Sequence, residues 1–296
     1  MPNSWIADLA RPLAVACNDA GAANIILEGI RDCDAGVRVV AGGPALAKAQ
    51  LLPAVSLYDD IAAALDGANT LLSGTGWASD LEHNARRYAA RNGIRSIGVI
   101  DHWVNYRERF SRNDEEILPD EIWVTDSYAL DIAQSTFPGR LIRQVPNLFM
   151  QKALSRMGDV DGAGDVLLYV LEPARSDWGR GRPGEFQALD YFFDLLPQLD
   201  LPSGLSIVLR PHPSDPVGKY DSWLAGRPGL PARIETDGDI DAAIGSARWV
   251  AGCESFALVL ALASERQVFC TLPPWAPACR LPHAGLHHLK LEYRAP

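Results

Sequence analysis

Short apolar segments of strand character alternate with helical patterns along the chain, and this alternation constrains the fold more than any other feature. Strands that alternate with helices pair in parallel, because a parallel connection needs a crossover long enough to hold a helix. In the first half, the clearest predicted strands are Leu13–Cys17, Val37–Val40 and Thr70–Ser73. The alternation lapses after Pro146 and resumes at Val166–Leu171, which predicts a second sheet of the same kind.

The length favours the same division, since 296 residues at roughly 150 per domain predict about two domains. We expect one domain over residues 1–147, a linker over 148–164, a second domain over 165–280 and a proline-rich surface tail over 281–296. The predicted fold class is α/β, with two doubly wound domains facing a central cleft. Ligands of such sheets bind beyond the carboxyl ends of the strands, so the residues that follow each strand are the candidates.

Composition narrows the range of partners. The net charge of −10, from 27 basic and 37 acidic residues, argues against broad nucleic-acid binding. Five cysteines without a C-x-x-C pair indicate idle thiols in a reducing compartment, with no zinc knuckle. The N-terminus does not look like a signal peptide, and the longest apolar run, Phe256–Ala263, is far below the ~18 residues of a membrane span. We expect a cytoplasmic protein; docking on a membrane surface and the oligomeric state stay open.

Two small-residue turns follow strands of the first domain. The first strand is followed by Asn18, Asp19 and Gly21, in a turn that opens a helix, and the strand Thr70–Ser73 is followed by Gly74. Such turns expose helix amides to an anion or a sugar, or serve only to connect a strand tightly to a helix. Because the first turn lacks the pattern G-x-G-x-x-G, a dinucleotide site is weakly supported.

The segment after the predicted strand Ser96–Ile100 carries the densest chemistry of the first domain. A carboxylate and an imidazole are followed by aromatic and guanidinium groups. This combination predicts a general base with a surface that receives an acceptor. The plain alternative is a helix cap followed by solvated arginines. The residues are Asp101, His102, Trp103, Tyr106 and Arg109.

The sharpest pattern lies in the second domain. The predicted strand Leu205–Leu209 runs into Arg210-Pro211-His212-Pro213, where two prolines fix the direction of the chain around His212. An imidazole positioned in this way can neutralise a departing phosphate, and Arg210 lies beside it.

A second candidate for binding phosphate follows a later strand of that domain. Gly252-Cys253-Glu254-Ser255 precedes the helix Phe256–Ala263. The amides at a helix N-terminus together with the Ser255 hydroxyl suit an anion, and Glu254 suits a ribose hydroxyl. The alternative is that Ser255 or Glu254 only caps the helix.

The His-Pro turn and the serine-bearing helix start resemble the donor half of GT-B glycosyltransferases that use cytidine-nucleotide sugars. Bacterial sialyltransferases and Kdo transferases have this pair of motifs, and the related teichoic-acid glycerophosphotransferases share it. The resemblance implies that His212 and Ser255 contact the CMP phosphate and that a Rossmann-like first domain supplies the base. In sialyltransferases a paired acidic motif supplies the base, and Asp101 stands in a comparable place, although His102 replaces the second acid. The choice of base therefore stays open between Asp101 and Asp19.

The resemblance implies a metal-independent inverting glycosyltransferase without a cofactor. It would move a sialic-acid-like or Kdo-like sugar from a CMP donor to a hydroxyl of a glycan, lipid or protein. The alternative is a hydrolase or 2-epimerase acting on a UDP-amino sugar. A third hypothesis, a nucleotide-sugar-binding regulator, is disfavoured by the Asp101-His102 pair together with His212.

Overall fold

A computed structural model describes residues 4–33, 36–77, 79–174 and 176–293. The chain forms two compact units, residues 1–151 and 152–296. The boundary falls inside the segment predicted as a linker, but that segment is not irregular, because it contains the helix Leu148–Met157. A proline-free stretch with Ala153 and Met157 buried explains why a helix forms there.

Unit 1, residues 1–151, contains a sheet in which every strand pairs in parallel with its neighbours. Its strands, within the described residues, are β1 Leu13–Cys17, β2 Val37–Ala41, β3 Val55–Tyr58, β4 Thr70–Ser73, β5 Arg95–Val99, β8 Glu121–Val124 and β9 Leu141–Gln144. The order across the sheet is β3-β2-β1-β4-β5-β8-β9. A separate small hairpin consists of β6 Ser111–Arg112 and β7 Glu115–Glu116.

The helices of unit 1 are α1 Ser4–Ala7, α2 Ala20–Ile30, α3 Gly43–Ala49, α4 Ile61–Leu65, α5 Leu81–Arg91, α6 Ser127–Thr136 and α7 Leu148–Met157, the last spanning the boundary between the units. Helices α2 to α6 connect strands of unit 1, as the alternation predicts, while α1 precedes β1 and α7 follows β9. The sheet is covered by two apolar clusters, one built around α2 and the other around α4 and α5. Strand β1 is buried at every position, as expected for a central parallel strand.

Unit 2, residues 152–296, repeats the arrangement. Its strands, within the described residues, are β10 Gly164–Val170, β11 Ser206–Arg210, β12 Ala232–Ile234, β13 Ala247–Gly252, β14 Gln267–Cys270 and β15 Leu286–His288. They pair in parallel in the order β12-β11-β10-β13-β14-β15. The helices are α8 Gly184–Leu195, α9 Asp221–Ala225, α10 Ile240–Ser246, α11 Phe256–Ala263 and α12 Leu289–Glu292.

Two strands of the main sheets escaped the sequence interpretation, as did the short hairpin strands β6 and β7. Strand β3 is an edge strand with partly exposed side chains, so it lacks the apolar run on which the prediction depends. Residues 281–296 were expected to form a surface tail, but β15 joins the sheet of unit 2 beside β14. Burial of Leu286 in β15 and of Leu289 at the start of α12 explains this position, since both side chains leave water when this segment packs in unit 2.

Each sheet changes winding direction at one place, between β1 and β4 in unit 1 and between β10 and β13 in unit 2. At such a switch point the connections on either side leave toward opposite faces, which opens a crevice at the carboxyl ends of the strands. We call the residues that follow the strands there the carboxyl edge of each unit. None of the helices in the described part of the chain has the length and apolar character needed to cross a membrane.

Candidate active site and phosphate site

The carboxyl edge of unit 1 collects the predicted candidates of the first domain. Asn18 and Asp19 follow β1, Gly74 follows β4, and Asp101 lies two residues beyond β5. The Asn18 side-chain amide donates to Asp19 Oδ1 at 2.9 Å. Because β1, β4 and β5 are neighbours in one parallel sheet, their carboxyl ends meet at this edge.

Gly21 lies directly against the candidate base. A Cβ atom at this position would stand 1.8 Å from Asp101 Oδ2, so any other residue would displace the carboxylate. Gly74 stands in the same relation to Glu82, whose Oε1 would be 2.4 Å from a Cβ. The small residues of both turns therefore make room for acidic side chains, a role that turn geometry alone does not require.

Glu82 is a component of this edge that the sequence interpretation missed. It lies on α5, is fully buried, and its Oε1 accepts the Asn18 backbone N–H at 2.9 Å. Its Oε2 accepts no hydrogen bond from any residue that the structure describes. Burial raises the pKa of Glu82 to about 7; the Asn18 N–H opposes the shift, and the charges of Asp19 and Asp101 add to it.

Two buried arginines hold the edge in place. Arg109 donates to Asp101 Oδ1 at 2.8 Å and to the Val104 carbonyl at 3.1 Å, which fixes the carboxylate. Arg86 donates to the Gly74 carbonyl at 2.8 Å, and burial lowers its pKa to about 10. The alternative that Arg109 is solvated is therefore wrong. Arg86 lies one turn after Glu82 on the helix that follows the glycine-bearing loop, and this spacing is the signal that could have identified both residues.

The aromatic residues predicted to receive an acceptor are part of the packing of unit 1. Trp103 is 6% exposed and its Nε1 donates to Asp126 at 2.9 Å, while Tyr106 is 4% exposed and its hydroxyl donates to the Ala129 carbonyl. His102 Nδ1 accepts the backbone N–H of Trp103. Trp77, by contrast, is 40% exposed and lies over the Arg109 guanidinium, 5.1 Å from ring centre to cation. Trp77 is thus the more accessible ring near the carboxylates.

The carboxyl edge of unit 2 contains His212, which is exposed just beyond β11. Its Nδ1 accepts the Ser214 backbone N–H at 3.1 Å and lies 2.7 Å from the Ser214 hydroxyl. A backbone N–H can only donate, so in the neutral ring Nδ1 carries no proton and Nε2 does. The turn therefore presents Nε2–H as a hydrogen-bond donor. The Asp215 carboxylate fixes the turn by accepting the His212 backbone N–H at 3.0 Å.

Arg210, beside His212 in sequence, has a different environment. Its guanidinium donates to the carbonyls of Asp237 and Gly238, in the loop between β12 and α10. These bonds give Arg210 a role in fixing that loop. Its predicted contact with substrate stays a prediction.

Ser255 is the N-cap of α11. Its Oγ accepts the Ala257 backbone N–H at 3.1 Å, the arrangement that the plain alternative predicts. The hydroxyl retains its own O–H, which can donate to a phosphate oxygen while Oγ caps the helix. Gly252 makes close packing possible, since a Cβ there would stand 2.9 Å from the Val170 carbonyl oxygen.

Two acidic residues complete the edge of unit 2. Glu254 accepts hydrogen bonds from Arg280, at 3.1 Å from its backbone N–H and 3.0 Å from its Nε, so the predicted ribose contact stays a prediction. Glu172, which the sequence interpretation missed, follows β10, and its Oε1 accepts the Glu254 backbone N–H at 3.0 Å. Burial raises the pKa of Glu172 to about 7, against the effect of that N–H.

Comparison of the whole fold with solved structures identifies its class. The UDP-GlcNAc 2-epimerase from Methanocaldococcus jannaschii matches with a TM-score of 0.56 and 10% identity, over 87% of this chain and 83% of that one. The S. aureus MnaA–UDP co-structure matches with a TM-score of 0.56 and 11% identity, over 87% of this chain and 78% of that one. The wall teichoic acid polymerase TagF matches with a TM-score of 0.53 and 13% identity, over 88% and 70%.

The chain thus has the two-domain, doubly wound fold of the GT-B type, as the sequence predicts. At these identities the likeness establishes the fold and nothing further. Neither protein-family models nor curated protein sequences give a match to this chain.

Proposed function

We propose that this protein is a glycosyltransferase that moves a sugar from a CMP-sugar donor to an acceptor hydroxyl with inversion at the anomeric carbon. The observation that carries the proposal is His212, whose ring is held by Ser214 so that Nε2–H is a donor at the carboxyl edge of unit 2. The matching folds include enzymes named for nucleotide sugars, which supports a substrate of this class.

The donor phosphate binds at the edge of unit 2 in this proposal. His212 Nε2–H and the Ser255 O–H donate to phosphate oxygens, and the N-terminal end of α11 adds a favourable dipole. When the bond between the anomeric carbon and the phosphate oxygen breaks, CMP leaves with additional negative charge. Donors already in position stabilise that charge without reorganisation, and such groups give large rate effects.

Asp101, at the edge of unit 1, is the general base. It takes the proton of the acceptor hydroxyl as the acceptor oxygen bonds to the anomeric carbon. Arg109 holds Oδ1 of this carboxylate, while Oδ2 lies over Gly21. Asp19 is the alternative base; its Oδ2 would lie 1.8 Å from a Cβ at Gly76. The exposed Trp77 ring beside Arg109 offers a surface on which a sugar of the acceptor can stack.

A second candidate function is epimerisation or hydrolysis of a UDP-amino sugar. The observation in its favour is the likeness of the fold to the UDP-GlcNAc 2-epimerase from M. jannaschii. In that case Asp19, Asp101 and Glu82 would serve proton transfers to and from the sugar itself.

A nucleotide panel separates the two functions. We expect CMP to raise the melting temperature more than CDP, UDP or GDP, since a ligand at ~100-fold its Kd adds about 2.7 kcal/mol of stability. In a second assay, the protein is incubated with CMP- and UDP-sugars without an acceptor. Slow hydrolysis of a CMP-sugar alone agrees with the proposal, whereas rapid turnover of a UDP-sugar establishes the alternative.

A further inference from the structure

The segment between β14 and β15 in unit 2 brings two cysteines and a histidine together. Cys270, the last residue of β14, is paired in register with His288, the last residue of β15. Side chains of directly paired residues project from the same face of a sheet. Cys279 comes from the loop that joins the two strands. The three residues lie close together although up to 18 positions of sequence separate them.

The donor atoms of these residues are grouped as metal ligands are. The two Sγ atoms and a ring nitrogen of His288 all lie within 4.8 Å of one another. Cys270 is 1% exposed and donates from Sγ to the Cys253 carbonyl at 3.1 Å, while Cys279 and His288 are half-buried. One side of the group is therefore anchored in the core and the other is accessible to an ion from solvent.

We propose that Cys270, Cys279 and His288 form a metal site for a zinc-like divalent cation. Two soft thiolate ligands with one imidazole suit Zn²⁺ rather than Mg²⁺ or Ca²⁺, which prefer oxygen. Three protein ligands leave a fourth tetrahedral position for water. Two thiolates balance the charge of the cation, so binding releases the two thiol protons to solvent.

Such a site would hold the segment 271–285, which connects β14 to β15 without a helix. The segment is held at Arg280 by Glu254 of the carboxyl edge. A metal bound to residues on both sides of the segment and to Cys279 within it would fix its course beside that edge. This inference is independent of the proposed function, because no step of sugar transfer involves the metal.

Cobalt provides a test with a direct readout. The reduced, chelator-treated full-length chain is titrated with Co²⁺, and then Zn²⁺ is added in competition. We expect one Co²⁺ per chain, a thiolate-to-cobalt charge-transfer band and the intense visible bands of tetrahedral coordination. Added Zn²⁺ should abolish these bands.

Matched variants make the assignment specific. His288→Ala and Cys279→Ser should lower Zn²⁺ affinity by about 100-fold or more, since even indirect partners of a ligand contribute 10–100-fold. His287→Ala, on the adjacent residue, and Cys33→Ser, in unit 1, should bind as the parent protein does. Circular dichroism confirms folding of each variant.

Three results would overturn the proposal. The first is a folded, reduced parent chain that gives no cobalt band. The second is a band that persists in both His288→Ala and Cys279→Ser. The third is a Cys270–Cys279 disulfide found by mass spectrometry in protein isolated without reductant but with added zinc.

Discussion

Each unit has a glutamate that bridges its switch point; Glu82 in unit 1 is buried, and Glu172 in unit 2 is half-buried. In unit 1, Glu82 comes after β4 and accepts the backbone N–H of Asn18, which follows β1. In unit 2, Glu172 comes after β10 and accepts the backbone N–H of Glu254, which follows β13. Burial raises the pKa of both carboxyls to about 7. The connections leave toward opposite faces at a switch point, so the amides just beyond the strands lack a ladder partner, which explains why both units place an acceptor there.

The surroundings of the two glutamates differ. Glu82 lies among Asp19, Asp101 and Arg86, behind an edge of acidic side chains. Glu172 has Glu254 and Arg280 as its charged neighbours, and the outward donor at that edge is the exposed His212. The same topology thus supports an edge of acidic side chains in one unit and an edge with an exposed histidine in the other. The fold fixes where chemistry can occur, and the side chains decide which chemistry it is.

The largest effect expected is that of removing the base from unit 1. Asp101→Asn should lower the rate of transfer by about 10²–10⁴-fold, because an amide cannot take the acceptor proton. Affinity for CMP should change little, since the proposed nucleotide site lies in unit 2. Initial rates at saturating donor, together with calorimetric titration of CMP, measure both quantities.

Asp59→Asn serves as the control for this variant, because Asp59 is an exposed aspartate ahead of α4. It should retain the parent rate. If Asp19→Asn loses the rate while Asp101→Asn keeps it, the base is Asp19. If both variants keep it, the acidic edge takes no part in proton transfer.

The next largest effect is expected from His212, at the carboxyl edge of unit 2. His212→Ala should lower turnover by about 10²-fold, the effect expected when one donor to a developing charge is lost. His212→Gln should recover part of the rate, because its side-chain amide can replace Nε2–H. Since His212 is exposed, neither variant should lower the melting temperature appreciably. A well-folded His212→Ala protein with the parent rate contradicts the phosphate role.

The sequence predicted the positions of these strands better than it predicted which polar side chains lie at their carboxyl ends. Continuous apolar runs located β1, β4 and β13, and turn residues located Asp101 and His212. The spacing of Glu82 and Arg86 on α5 is the one local signal for Glu82, and it does not establish burial, because a glutamate on a helix is usually exposed. Its burial depends on Asn18, which is 64 positions away in the sequence.

The positions of other residues also depend on contacts that are distant in the sequence. Trp103 and Tyr106 belong to the core because their polar atoms find partners on α6 or at its N-cap, Asp126. Strand β15 is recognisable only through its partner β14, since three residues carry too little pattern. Contacts between residues distant in the sequence decide all of these positions. A short stretch of sequence carries no information about such contacts.

The glutamates at the two switch points also predict how stability depends on pH. Glu82 has a pKa of about 7 in the folded protein and an ordinary value of 4.5. Between these values the folded state holds the proton more tightly than the unfolded state, so the free energy of unfolding falls as pH rises through this window. Glu82→Gln should therefore raise the free energy of unfolding above pH ~7, by about 3 kcal/mol at most, and have little effect below pH ~4.

Urea unfolding at several pH values measures this difference. Glu172→Gln should show the same sign and window, because burial is the main cause of both pKa shifts. Glu265→Gln, at an exposed position after α11, serves as the control variant. A stabilisation by Glu82→Gln that stays constant from pH 4 to 8 would contradict a titrating Glu82.

The smallest effect expected concerns Ser255, where capping and phosphate binding must be separated. Ser255→Ala loses both the acceptor for the Ala257 N–H and the proposed donor to phosphate. The lost cap should lower stability by about 0.5–2 kcal/mol. The lost charge-assisted bond should weaken CMP binding by about 1.5–3 kcal/mol, or roughly 10- to 100-fold in Kd.

Asp60→Ala removes a comparable cap from α4, where Asp60 accepts the Ala63 N–H at 2.9 Å. Asp60→Ala should lower stability to a similar extent and leave CMP affinity unchanged. If both variants bind CMP as the parent does, Ser255 is a helix cap alone. His212 then remains as the proposed side-chain donor to phosphate at the carboxyl edge of unit 2.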